Sequence, residues 1–280
     1  MPFSATVYRL IPHEANLTKF KPYLKPFKMR LCAIFHCWSD WSLLRYAVEN
    51  IRQLVDGVLI IGSTRSNYGE FFQIPSEWHN DELYVREPKF HIPMHSETDK
   101  RNYGLQIAKE KGYTHFITMD ADEFYEHEPF LKAKERFHME PDLDGLVCAT
   151  QVYFKSPKLT VGLDGTLVTF IHKLTPTIQH AFNKRYQYAW NNGGIKIDPT
   201  RSLNINSGVK WDNIVMHHYS WIRDDYQRKI RNSTARTNLE RSSILHDLVQ
   251  AKEGYYCQFY RKSLVPATVD FGINEIVLQS

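Results

Sequence analysis

The sequence predicts an α/β fold in which a mainly parallel central sheet is flanked by helices and the C-terminal half is elaborated. Two observations carry this. Between residues 29 and 119, apolar runs of strand length alternate with segments of helical spacing, and such alternation builds parallel sheets with helices on their faces. One of those runs, 115–119, is followed at once by Asp120, Asp122 and Glu123. That puts charge beyond the carboxyl end of a strand, where open α/β sheets bind ligands.

The first strong strand is 29–37, which ends in His36-Cys37-Trp38. Ser39 and Asp40 then offer helix caps, and Trp41, Leu43, Leu44 and Val48 give helical spacing. A second strand covers 55–61 and is closed by Gly62-Ser63, and a third, short one covers 83–86. Ser96-Glu97-Thr98-Asp99 marks the next helix start. Leu105, Ile107 and Ala108 supply that helix's apolar side, and Gly112 ends it. The fourth strand is 115–119. Further strands are predicted at 146–154, 167–174 and 214–221, with a turn at 162–165 and a polar stretch at 191–194. From 223 to 252 the pattern is helical. Residues 5–10 read as a strand in an extended arm, and the prolines within 19–28 disfavour a helix there.

Composition bounds the answer. The chain has 280 residues, 42% hydrophobic and 24% charged, which is a folded composition rather than a disordered one. Cys32, Cys37 and Cys148 lie in apolar runs and read as reduced, buried side chains, which suits a reducing compartment. Cys257 lies in an aromatic stretch. His13 and Glu14 interrupt the first twenty residues, no apolar run approaches the roughly 20 residues of a membrane span, and the expected location is cytoplasmic (host cytoplasm for a viral enzyme). The net charge of +4 is compatible with a phosphate-bearing partner but too small to show nucleic-acid binding.

The segment His115-Phe116-Ile117-Thr118-Met119-Asp120-Ala121-Asp122-Glu123 carries the chemistry. Bunched carboxylates repel one another unless a cation or a donor-rich ligand compensates. Hard oxygen ligands suit Mg²⁺ or Mn²⁺, which commonly bridge a carboxylate to substrate phosphates.

This strand followed by D-x-D resembles the GT-A fold of nucleotide-diphospho-sugar transferases, in particular the family 2-like branch, with its Rossmann-like sheet. The strand at 29–37, the Lys100-Arg101-Asn102 helix start, and the runs Phe170-Ile171-His172-Lys173-Leu174 and Met216-His217-His218-Tyr219-Ser220 complete the resemblance, which spans 29–223. At the end of the second strand, where many relatives carry an acidic base-contacting residue, this chain has Gly62-Ser63-Thr64.

The resemblance implies one catalytic domain over 1–280, with an arm at 1–28, a nucleotide-sugar half at 29–125, an acceptor half at 126–222 and a helical region and tail at 223–280. It implies a nucleotide-sugar donor, UDP-sugar favoured, near His36, Cys37, Ser63, Lys100, Arg101, Asn102, Asp120 and Lys173. It also implies a divalent cation, Mn²⁺ or Mg²⁺, at Asp120, Asp122 and a late-strand histidine. His217 and His218 point to opposite faces of a strand, and the His-Tyr-Ser run favours His218. Glu123, Asp164, Asp212 and Asp225 are open candidates for a base that takes the acceptor's proton, and Asp122 carries the metal-assisted chemistry.

The run 223–241 holds Arg228, Lys229, Arg231, Arg236 and Arg241. On one helix Arg228 lies with Arg231 and Lys229 with Arg236, either as a solvated face or as a track for acceptor phosphates. The second reading resembles phage glycosyltransferases that modify hydroxymethylated DNA bases. A saccharide and a protein are the other acceptors, and Trp190 is the aromatic best placed to touch one. Two other classes compete: a metal-dependent phosphodiesterase or nuclease, and a non-catalytic nucleic-acid-binding domain. The chain has no dinucleotide or P-loop glycine motif. Pro93 argues against a helical zinc site at His91 and His95.

Overall fold

The computed structural model describes residues 28–80, 82–181, 200–205, 208–223 and 225–273. The arm strand expected at 5–10, the polar stretch at 191–194 and Trp190 lie outside the described residues.

The first half alternates as expected. Strand β1 (Leu31–Cys37), helix α1 (Trp41–Arg52), β2 (Gly57–Gly62), β3 (Leu83–Val85), helix α2 (Pro93–Glu110) and β4 (His115–Asp120) follow in order. β3, β2, β1 and β4 lie side by side and parallel. The alternation of β1 side chains divides the core. Leu31, Ala33, Phe35 and Cys37 pack with the buried face of α1, whereas Cys32 and Ile34 pack with Leu105, Ile107 and Ala108 of α2. Each leucine, isoleucine or phenylalanine among these contributes about 1.5–3 kcal/mol. His36, an even position, therefore faces α2. All four cysteines are free and buried.

The second half adds β5 (Glu123–Phe124), helix α3 (His127–Met139), β6 (Gly145–Phe154), β7 (Ser156–Lys173) and β8 (Val209–Trp221). They extend the sheet in the order β3-β2-β1-β4-β7-β6-β8-β5. β7 is antiparallel to both β4 and β6, β8 is parallel to β6, and β5 is antiparallel to β8. The chain ends in short helices α4 (Tyr226–Asn232), α5 (Arg236–Glu240) and α6 (Ile244–Gln250), the pair β9 (Tyr256–Cys257) and β10 (Lys262–Ser263), and β11 (Val265–Pro266) on the side of β7. No helix among the described residues is long and apolar enough to cross a membrane.

Four local expectations change. The turn expected at 162–165 lies inside β7, because Gly162 (φ 70°) and Gly165 (φ 83°) let the strand bend through register shifts without leaving its partner. α2 begins at Pro93 rather than Ser96, since a proline in the first turn lacks only an N–H that the helix does not use. Asp40 precedes α1 without a side-chain cap bond; its carboxylate goes to Arg223. The helical stretch at 223–252 is broken after Asn232, so Lys229 and Arg236 do not share a helix.

Candidate functional site

The parallel register brings the site together. His36 lies beside Ile61 on β2 and Asp120 on β4, and Cys37 lies beside Gly62. These strand ends form one edge of the sheet. α2 packs on the sheet face beside these strand ends, with Ser96, Lys100, Arg101 and Gly104 buried on its inner side, a polar stripe where an apolar one would be ordinary.

Each buried charge on this edge has a partner. Lys100 is 8% exposed, and its Nζ donates to Ser63 Oγ at 3.2 Å. Burial pulls the Lys100 ammonium down to about 8. Arg101, 1% exposed, donates to Glu97 Oε1 at 2.7 Å and to Asp120 Oδ1 at 3.1 Å. Its Nη1 lies 3.5 Å from His36 Nδ1. Burial, and then the Arg101 charge, hold the His36 imidazole well below its ordinary range.

The acidic loop is clamped from two sides. Arg201 donates to Asp120 Oδ2 and to both oxygens of Glu123, and Asp120 N donates to Glu123 Oε2 at 3.0 Å. Burial pushes the Asp120 carboxyl up, but Arg101 and Arg201 outweigh it and the net direction is down. Glu123, fully buried, moves the other way because desolvation exceeds what Arg201 returns. Asp122 Oδ2 accepts from Arg223 at 2.8 Å and from Lys229 at 2.9 Å. Burial opposes ionisation of Asp122, and Lys229, His218 and Arg223 together overcome it, leaving the carboxyl well below the usual range.

β5 carries this loop to β8. Glu123 pairs with His218 and Phe124 with His217, and Tyr219 N donates to the Asp122 carbonyl at 2.8 Å. His218 Nε2 lies 3.4 Å from Asp122 Oδ1. His217 points to the opposite face, where Nδ1 lies 3.0 Å from Tyr153 Oη and the ring meets Phe271 edge-on. Ligand atoms of Asp122, Glu123 and His218 all lie within 4.8 Å of one another.

Other residues predicted for the site are placed differently. Asp120 is not in that convergent group; its two oxygens accept from Arg101 and Arg201. Lys173 pairs with His115 at the start of β4, the end opposite Asp120, and its Nζ donates to Pro141 O. Asn102 bonds both backbone groups of His180 and fixes that loop to α2. Cys37 is buried, and desolvation holds its thiol well above the ordinary range. Asp212 pairs with Arg136, and Asp164 accepts from Thr166 N. Asp225 caps α4 by accepting from Arg228 N, and it lines a cavity of about 740 Å³ beside Asp40, Arg223 and Lys229. Trp41, Trp78 and Phe72 also line this cavity, with Arg45, Arg52, Glu49 and Glu77.

Arg201 had no signal in the sequence, since its Glu123 partner is 78 positions away. Lys229 stood out only as part of a basic run and Arg223 only as the position where it begins; their carboxylate partner came from the fold.

No family model and no curated protein matches the sequence. Solved structures similar to the chain include mannose-1-phosphate geranyltransferase from Thermus thermophilus, at 13% identity and a TM-score of 0.29, covering 46% of this chain and 43% of that one. S. aureus TarS 1-349 is similar at 14% identity and a TM-score of 0.39, covering 72% of this chain and 64% of that one. 4-diphosphocytidyl-2C-methyl-D-erythritolsynthase from Anaerococcus prevotii is similar at 12% identity and a TM-score of 0.30, covering 52% of this chain and 70% of that one. The chain thus spans less than two thirds of the length of the first two.

Proposed function

We propose that this chain is a GT-A glycosyltransferase that moves a sugar from a nucleotide-diphosphate sugar, UDP-sugar favoured, to an acceptor hydroxyl with the help of Mn²⁺ or Mg²⁺. The observation that carries the reading is the convergence of Asp122, Glu123 and His218, ringed by Arg201, Arg223 and Lys229, beside the carboxyl ends of parallel strands.

The donor set fits a divalent ion of this kind. Two carboxylates and an imidazole are ligands that Mn²⁺ accepts, and Mg²⁺ prefers the oxygens. His218 Nε2 lies 3.4 Å from Asp122 Oδ1, whereas Arg223 and Lys229 both donate to Oδ2. Asp122, Glu123 and His218 are the residues that would hold the ion. Bound there, it would act as a Lewis acid toward the charge that grows on the departing diphosphate.

The chain's own groups do the remaining work. Lys100, held by Ser63, and Arg101, held by Glu97 and Asp120, set positive charge at the strand ends where the donor's phosphates would lie. Arg201 keeps Glu123 and Asp120 fixed, so the acidic loop does not have to reorganise during the reaction. Glu123 has both oxygens on Arg201. Asp225, on the cavity wall, is the better placed carboxylate to take the acceptor's proton.

The cavity is where an acceptor, a saccharide or a hydroxymethylated DNA base, would approach. Among the described residues there is one convergent metal-ligating group, which favours this reading over a two-metal nuclease fed by several acidic clusters.

A thermal-shift panel of UDP, GDP, CDP and ADP, with and without Mn²⁺, tests the reading. A ligand that binds only the native state raises the melting temperature. A Mn²⁺-dependent rise with one nucleotide supports it and names the base. No rise with any of them overturns it.

A further inference from the structure

Asp122 carries two basic side chains on one oxygen, and they are held very differently. Arg223 is anchored beyond Asp122: its Nη1 donates to Asp40 Oδ1 and its Nε to Ser220 O at 3.0 Å. Lys229 reaches Asp122 Oδ2 at 2.9 Å, and it also lies over the Trp221 ring, 5.8 Å from the ring centroid. Its side chain is 19% exposed and rides on a flexible four-carbon stem. An ammonium with a single oxygen partner among the described residues, at the mouth of a carboxylate cluster, is the group best able to move.

We infer that Lys229 is an exchanging phosphate ligand, paired with Asp122 before ligands bind and transferred to the donor's diphosphate when a divalent ion takes the Asp122 carboxylate. The inference rests on the transferase reading above. Lys229 Nζ lies 2.9 Å from Asp122 Oδ2, so an ion held by Asp122, Glu123 and His218 would carry a like charge close to the ammonium, and like charges in a largely buried site repel strongly. Ion binding alone therefore costs the Lys229–Asp122 pair. A nucleoside diphosphate removes that cost, because its phosphate oxygens accept the displaced ammonium. Ion and nucleotide consequently favour one another, and the coupling is reciprocal.

The signs separate this role from that of a structural brace. Neutralising Lys229 removes a competitor for the ion and a ligand for the phosphates. Ion binding alone then tightens while nucleotide binding in the presence of ion weakens. A brace that only shapes the pocket would weaken both when removed.

The test uses the full chain, its Lys229→Gln variant and its Lys229→Arg variant, with folding checked by circular dichroism. Binding of Mn²⁺ alone is read by electron paramagnetic resonance. Binding of UDP, GDP, CDP and ADP, with and without Mn²⁺, is read by equilibrium dialysis. In the wild type, Mn²⁺ is expected to tighten its preferred nucleotide by about tenfold or more. In Lys229→Gln, Mn²⁺ alone binds several-fold tighter and the coupling falls below about twofold, whereas Lys229→Arg keeps most of the coupling. Unchanged coupling in Lys229→Gln, or weaker binding of Mn²⁺ alone, overturns the exchange role while leaving the transferase reading in place. Absence of nucleotide binding in the wild type overturns both.

Discussion

Glu123 and His218 sit directly opposite each other across the antiparallel pair of β5 and β8. This register brings an imidazole from a late strand to the acidic loop that ends β4. Because side chains alternate along a strand, the same register turns His217 away, into contact with Tyr153 and Phe271.

The two histidines should therefore fail in different ways when replaced. His218→Ala is expected to weaken Mn²⁺ binding by at least about tenfold, the lower end of what even outer-shell partners cost, with little change in melting temperature. His217→Phe should lose the Tyr153 bond and destabilise the fold by about 1–3 kcal/mol while leaving Mn²⁺ affinity unchanged. Thermal melts and Mn²⁺ titrations of both variants check this. The reverse pattern would assign the metal to the other face.

Asp122→Asn keeps the volume of a buried side chain but removes the charge that Arg223, Lys229 and His218 surround. Sugar transfer should fall by at least about a hundredfold, as when preorganised charge stabilisation is removed elsewhere, with the chain still folded by circular dichroism. Full activity in this variant would remove Asp122 from the chemistry.

Arg201→Met tests the clamp on the opposite side of the loop. It strips the guanidinium from Asp120 and from Glu123, both buried or half-buried. Breaking such a pair by removing one member costs about 3–5 kcal/mol. Denaturant titration should show this loss, and a stability equal to wild type would mean that the loop is held by other contacts.

Gly104→Ala probes how α2 is seated. A Cβ at this position would lie 2.6 Å from Ile34 Cγ2 and 3.1 Å from Ile61 Cγ1. The helix would have to lift from β1 and β2, at a cost of about 1–3 kcal/mol. Lys100 and Arg101 ride on the same helix, so nucleotide binding should weaken along with stability. Loss of stability with unchanged nucleotide affinity would separate α2 from the donor site.

Acid should destabilise the protein in two stages. Burial lowers His115 and His217 to about 4 and His172 to about 3, from an ordinary 6.5. Between those values the unfolded chain holds more protons than the folded one, so stability is fully present above pH 6.5 and falls as pH drops toward 4. Each histidine contributes up to about 1.4 kcal/mol per pH unit across its window. The depressed carboxyls of Asp120 and Asp122 act in the same direction lower down, below their ordinary 3.8. Calorimetric melts from about pH 7.5 to about pH 3.5 should show a melting temperature that declines below roughly pH 6.5. A flat profile down to about pH 4 would mean that these histidines are protonated within the fold.

The sequence alone was sufficient for the parallel half of the sheet and for the location of its acidic edge. Local signals carry both: apolar runs of strand length, helical spacing in Trp41, Leu43, Leu44 and Val48, and three carboxylates immediately after a strand. Strand alternation by itself also puts His217 and His218 on opposite faces. Only the tertiary structure decided which charges meet. Arg201 reaches Glu123 across 78 positions, Arg223 reaches Asp122 across 101, and Lys229 reaches it across 107. Lys173, in a run that resembled a site strand, went to the far end of β4 because β7 pairs antiparallel there. A charged residue is legible as charged in one dimension, but its partner is set by sheet order and register, which depend on packing summed over the whole chain.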